Sequence, residues 1–116
     1  MDSIELKDRT KRFALNVLKL VDALPQTTAG RALGNQLVRS GTAVAANYRA
    51  ACRGRSKAEF TAKLGTVLEE SDESCFWMEL IIEGTLLSRE KVMPLLDEAN
   101  QLTAIFVSSI KTAKEH

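Results

Sequence analysis

Apolar residues recur at intervals of three and four in four successive stretches of this sequence, and breaker residues separate the stretches. That period places each apolar set on one face of an α-helix, and no segment shows strand alternation. In the first stretch, over about residues 5–24, Phe13, Val17, Leu20, Val21 and Leu24 share a face, and Pro25 stops the helix. Thr27 or Thr28 caps a second helix over about 28–53, with Leu33, Leu37, Val44, Tyr48 and Ala51 as its stripe and Gly54 beyond its end. Ser56-Lys57-Ala58-Glu59 is a capping box, in which Ser56 accepts the Glu59 amide and Glu59 reaches back. It opens a third helix over about 57–83 that carries Phe60, Leu64, Val67, Leu68, Cys75, Met78 and Ile82 before Gly84. Ser88 caps a fourth, over about 89–113, with Val92, Leu95, Leu96, Ala99, Leu102, Phe106 and Ile110 on one face. Pro94 falls in its first turns, where proline is tolerated.

Four one-faced helices joined by short turns bury their stripes against one another, and short turns favour antiparallel neighbours. The expectation is all-α: a single domain over 1–116, folded as an antiparallel up-down-up-down four-helix bundle. In that bundle Cys75 lies about 25 Å along the axis from Cys52, at roughly 1.5 Å per residue, too far for a disulfide. Small residues fill the middle of the second helix, Ser40, Gly41, Thr42, Ala43, Ala45 and Ala46, and suit close helix–helix approach.

Several chemistries lack their parts. The only histidine is His116, the final residue, so His-based zinc sites, Ser-His-Asp triads and Cys-His pairs are not available. No P-loop or dinucleotide fingerprint is present. No catalytic residue, metal site, cofactor or small-molecule substrate is inferred, and the expectation is a protein that is not an enzyme. Met1-Asp2-Ser3-Ile4-Glu5 has no apolar signal core, and no apolar run approaches the roughly 20 residues of a membrane span. A cytoplasmic location, with no membrane partner, is expected.

The formal charge is only +1, but the charges are segregated. Residues 28–55 hold five arginines and no acid, whereas 56–84 hold seven acids and two lysines. Counting from the intervening turn, Arg39 lies level with Glu69, Asp72 and Glu73, and Arg31 with Glu79, so interhelical ion pairs are expected. The run Glu69-Glu70-Ser71-Asp72-Glu73 reads as a solvated, Arg-paired face in preference to a carboxylate metal site. The bundle topology also gathers one basic end. There Arg49, Arg53, Arg55 and Lys57 are candidate contacts for the phosphates of RNA or DNA, beside the free amides of a helix N-terminus. A merely solvated basic surface is the rival reading.

The apolar arcs are wider than a lone bundle needs. Trp77, Met78, Leu80, Ile81 and Ile82 nearly encircle the third helix, and Leu15 and Leu18 lie off the main stripe of the first. Leu15, Leu18, Trp77, Leu80 and Ile81 are therefore candidates for an interface between copies of the chain.

Gln36-Leu37-Val38-Arg39-Ser40-Gly41-Thr42-Ala43-Val44-Ala45-Ala46-Asn47-Tyr48-Arg49 resembles the signature of the four-helix-bundle family named for proteins encoded in 23S rRNA intervening sequences. Arg55-Ser56-Lys57-Ala58-Glu59-Phe60, Glu70-Ser71-Asp72-Glu73-Ser74 and Trp77-Met78-Glu79-Leu80 continue the resemblance over about residues 10–110. The resemblance implies a four-helix bundle assembled as a homopentameric ring, in a family without an established enzymatic activity. The family is similar to the accessory variability determinant of diversity-generating retroelements, a basic pentamer that binds nucleic acid and partners a reverse transcriptase. This chain departs from that pattern in its weak net charge. It also has Ala50 where the family often has Glu, which leaves Arg49 or Arg53 freer if that Glu pairs with one of them. The reading of function is a homo-oligomeric scaffold or interaction module. The alternative is a nucleic-acid-binding accessory protein.

Overall fold

The computed structural model describes residues 1–115; His116 lies outside the described residues. Four helices follow in order: α1 Ser3–Asp22, α2 Thr28–Ala51, α3 Lys57–Glu83 and α4 Arg89–Glu115. Each packs on the next and α4 closes on α1, while the diagonal pairs α1/α3 and α2/α4 do not approach. The helices therefore stand at the corners of a square prism measuring 46 × 19 × 19 Å. This is the up-down-up-down bundle.

The helix starts follow from side-chain caps. Asp2 Oδ1 accepts the Glu5 amide at 2.8 Å, which starts α1 two residues before the expected boundary. Thr27 Oγ1 accepts from Gly30 at 3.1 Å, and Ser56 Oγ from Glu59 at 3.1 Å. Glu59 does reach back, but to the amide of Arg55 at 3.3 Å instead of that of Ser56. α1 ends at Asp22 because the residue before Pro25 is sterically pushed out of the helical region. Leu24, beyond the helix, is still buried.

α3 ends in a Schellman turn: the Leu86 amide donates to Ile81 O and the Thr85 amide to Ile82 O, both at 3.0 Å. The left-handed residue of this turn is Thr85, at φ 56°, and Gly84 is right-handed at φ −80°. A β-branched residue thus holds the position glycine usually fills.

Phe13, Val17, Leu37, Val44, Leu64, Val67, Met78, Val92, Leu102 and Phe106 are fully enclosed and form one core. The small residues of α2 have the expected use. Gly41 is buried against Val17, so closely that a Cβ built on it would lie 2.7 Å from a Val17 methyl. A polar rung crosses three helices within the core. Ser40 of α2 meets Ser74 of α3 at 2.9 Å, and Ser71 of α3 meets Thr103 of α4 at 2.7 Å. Ser40, Ser74 and Thr103 also bond backbone carbonyls of their own helices, and Ser71 reaches the Ala99 carbonyl of α4, so their burial leaves no orphan. The α1/α4 seam is closed by Arg9, which donates to both Glu98 oxygens at 2.7 Å and to Gln101 Oε1 at 2.9 Å. The Glu98 hydrogen bonds raise the Arg9 pKa, against the opposing effect of burial.

Candidate functional site

Two kinds of surface stand out on this prism: apolar corners and a basic groove. On the α1 corner, Leu15 and Leu18 are 52% and 42% exposed. They project from the side of α1 opposite Phe13, Val17 and Leu20, so the bundle has no place for them. On the diagonal corner, α3 exposes Phe76 by 50%. Its ring meets Trp77 edge-on at 5.1 Å between centroids. Trp77 is half-buried against the core margin, and its indole Nε1 is enclosed without a hydrogen-bond partner. Leu80 is half-buried.

Ile81 corrects the expected interface set: it is fully enclosed in the chain's own core. α3 packs on both α2 and α4, so its inward arc spans Met78, Ile81 and Ile82 together. Sequence reasoning missed Phe76. The aromatic pair was legible, but which ring faces solvent depends on the rotation of α3, and that follows from how α2 and α4 pack on it.

The expected ion pairs need revision. Arg39 reaches Glu73, and it bonds Glu70 at 3.0 Å in place of Glu69 or Asp72. Glu69 and Asp72 point to solvent, because α3 turns Glu70 and Glu73, three residues apart, toward α2. Arg31 does not pair with Glu79. Its guanidinium donates to the Gln26 carbonyl at 2.8 Å, an acceptor one turn away within the α1–α2 connection. Among the described residues, no group of three His, Cys, Asp or Glu side chains is arranged to hold a metal ion. No described helix is long and apolar enough to cross a membrane.

The four cations of the expected phosphate site also divide. Arg49 and Arg53 line a groove of about 590 Å³ between α1 and α2, joined there by Lys7 and Lys11 of α1. Arg55 is exposed in the α2–α3 turn, and Lys57 borders a separate, mostly apolar groove shared with Lys114 of α4. At the start of α3 Ser56 Oγ accepts the Glu59 amide, and the Glu59 carboxylate, bonded back to the Arg55 amide, places a negative charge there that disfavours an external anion. The signal for Lys7 and Lys11 was present in the sequence as an i, i+4 basic pair. Only the antiparallel register, with Val17 opposite Gly41, shows which arginines it faces.

The two cysteines are free. Cys52 is half-buried on the wall of the α1–α2 groove, whereas Cys75 is buried and donates to Asn100 Oδ1 at 3.4 Å. Burial raises the Cys75 thiol pKa. Tyr48, buried beside Cys52, has its hydroxyl pKa raised for the same reason.

Comparison with known proteins adds the lineage. The family model of the 23S rRNA-intervening sequence protein matches residues 2–108. The chain belongs to this family. It is also similar to a crystal structure from Bacteroides thetaiotaomicron, described as a protein with unknown function from the S23 ribosomal protein family. The TM-score is 0.88 and the identity 30%, over 96% of this chain and 99% of that one. No curated protein matches significantly. The 23S rRNA-intervening sequence proteins are thus a family of unknown function, and not a known enzyme family.

Proposed function

We propose that this member of the 23S rRNA-intervening sequence protein family is a cytoplasmic, non-enzymatic scaffold that works by assembling with copies of itself. One observation carries the reading: large apolar side chains stand exposed at two diagonal corners, Leu15 and Leu18 on α1 and Phe76 on α3. Exposed aromatic and aliphatic groups of this size mark contact surfaces. Because the two corners differ, the favoured contact joins the α1 corner of one copy to the α3 corner of the next. Such head-to-tail contacts close into a ring when the rotation between successive copies closes, and run on as a filament when it does not. Five copies is the ring size that the family resemblance implies.

Two variants test the geometry by light scattering. Leu15→Glu/Leu18→Glu disables one corner and Phe76→Glu the other, and each alone should run as a monomer. Mixing them restores a single junction, so the expected product is a one-to-one heterodimer. A mixture that stays monomeric, or variants that still form the wild-type assembly, would refute the head-to-tail contact.

A second reading is nucleic-acid binding at the basic end of the bundle. It is favoured by the cations that line the α1–α2 groove and make no ion pair among the described residues. Single-stranded oligonucleotide should co-elute with the protein at low salt and separate at high salt. Failure to co-elute at low salt would remove this reading.

A further inference from the structure

Lys7, Lys11, Arg49 and Arg53 face one groove, and among the described residues none of them makes an ion pair. Arg9, Arg12 and Arg39, on the same two helices, are all held by carboxylates. Bringing four like charges together on facing walls costs folding energy unless an anion neutralises them. The lining includes one acid, Asp8, and Arg12 Nε already holds its carboxylate at 3.0 Å.

We propose that the α1–α2 groove is a binding site for oligophosphate anions. The phosphates arrive either as a short free polyphosphate chain or strung along a nucleic-acid strand. The proposal rests on the second reading above only for the strand, and it fixes the surface and the ligand chemistry. The two lysines form an i, i+4 pair on one wall and the two arginines an i, i+4 pair on the other. Within each pair the charges lie about 6 Å apart along the axis. The walls therefore present cations in two successive tiers, which suits an anion with charge repeated along its length. Ala45 and Ala46 form a shallow floor between the walls. Their short side chains let a phosphate sink between guanidinium and ammonium groups. Arginine supplies paired donors to phosphate oxygens, and lysine a mobile point charge. A volume of about 590 Å³ accommodates a nucleotide-sized ligand.

Cys52 on the groove wall is a built-in reporter, and buried Cys75 is an internal control for unfolding. The experiment is iodoacetamide alkylation of the full chain, read by mass spectrometry, with inorganic tripolyphosphate or single-stranded oligothymidylate as probe. Tripolyphosphate should slow Cys52 alkylation severalfold at low salt, with Cys75 unmodified throughout. Lys11→Glu/Arg49→Glu should abolish this protection, and both residues are exposed, so the fold should survive. Lys111→Glu/Lys114→Glu, exposed on α4, should retain it. If a strand engages all four cations, its affinity should fall about 20-fold over a threefold rise in salt.

Protection by both probes supports a groove open to strands, and protection by tripolyphosphate alone supports a site for small ligands. No protection by either probe at low salt, or protection that survives Lys11→Glu/Arg49→Glu, would overturn the proposal. Oligothymidylate that binds while neither probe shields Cys52 would overturn the groove and leave nucleic-acid binding elsewhere on the chain intact.

Discussion

Gly41→Ala and Gly65→Ala are the same substitution in two helix interiors, and the structure gives them opposite signs. Both gain about 1 kcal/mol of helix propensity. At Gly65 a new Cβ meets nothing within 4 Å, so that gain should stand. At Gly41 the Cβ would lie 2.7 and 2.9 Å from the two methyls of Val17 and 3.2 Å from its Cβ. Val17 is fully enclosed and β-branched, so it has essentially one rotamer in a helix and cannot swing aside. The α1 and α2 backbones must separate instead, and overpacking of this kind costs about 1–3 kcal/mol. After the propensity gain, Gly41→Ala should destabilise by about 1 kcal/mol, some 2 kcal/mol below Gly65→Ala. Urea midpoints at one fixed protein concentration report the difference, provided the slope is unchanged. Val17→Ala supplies the cross-check. It removes the obstructing methyls, so the cost of Gly41→Ala should shrink by at least about 1 kcal/mol in that background. Equal midpoints for the two glycine variants, or no coupling to Val17, would refute the close-contact argument.

The α3–α4 turn offers a stabilising change: Thr85→Gly should gain about 1 kcal/mol, since Thr85 sits at φ 56° where a β-branched side chain is disfavoured, and a raised urea midpoint checks it. Arg9→Ala should lose about 1–2 kcal/mol, because it strands half-buried Glu98 and opens the α1/α4 seam. Glu98→Gln, which keeps one hydrogen bond to Arg9, should lose less, and the two midpoints should rank in that order. Native alkylation should modify Cys52 well before Cys75. Burial both blocks the Cys75 thiol and disfavours its thiolate, so Cys75 should stay unmodified until the chain unfolds.

Much of the fold was legible because periodicity and caps agreed at α2 and α3. Thr27 and Ser56 marked their helix starts, and the bounds of α3 coincide with those read from its capping box and Gly84. The start of α1 was missed: Asp2 caps it, and Leu6, buried in the first turn, carries the inward face of Phe13, Val17 and Leu20 back across the polar but buried Thr10. Rotation about each helix axis was the harder quantity. A shift of one residue on a helix turns a side chain by about 100°. That shift separates Glu70 from Glu69 beneath Arg39, and Phe76 from Trp77 at the exposed corner. Residue spacing along one helix does not fix rotation; the partner helices do, and the rotation they select brings Ser40 to Ser74 and Ser71 to Thr103. The α1–α2 groove was hidden for a related reason. Its cations come from segments about forty residues apart in sequence, and only the packing of Val17 on Gly41 sets them face to face.

On the proposed function, the exposed corners meet other copies of the chain. Light scattering behind size exclusion tests it on the unmodified protein across a wide concentration range. A mass fixed at a multiple of the 12.8 kDa chain, unchanged on dilution, is the predicted result. A mass of 12.8 kDa at every concentration would contradict it.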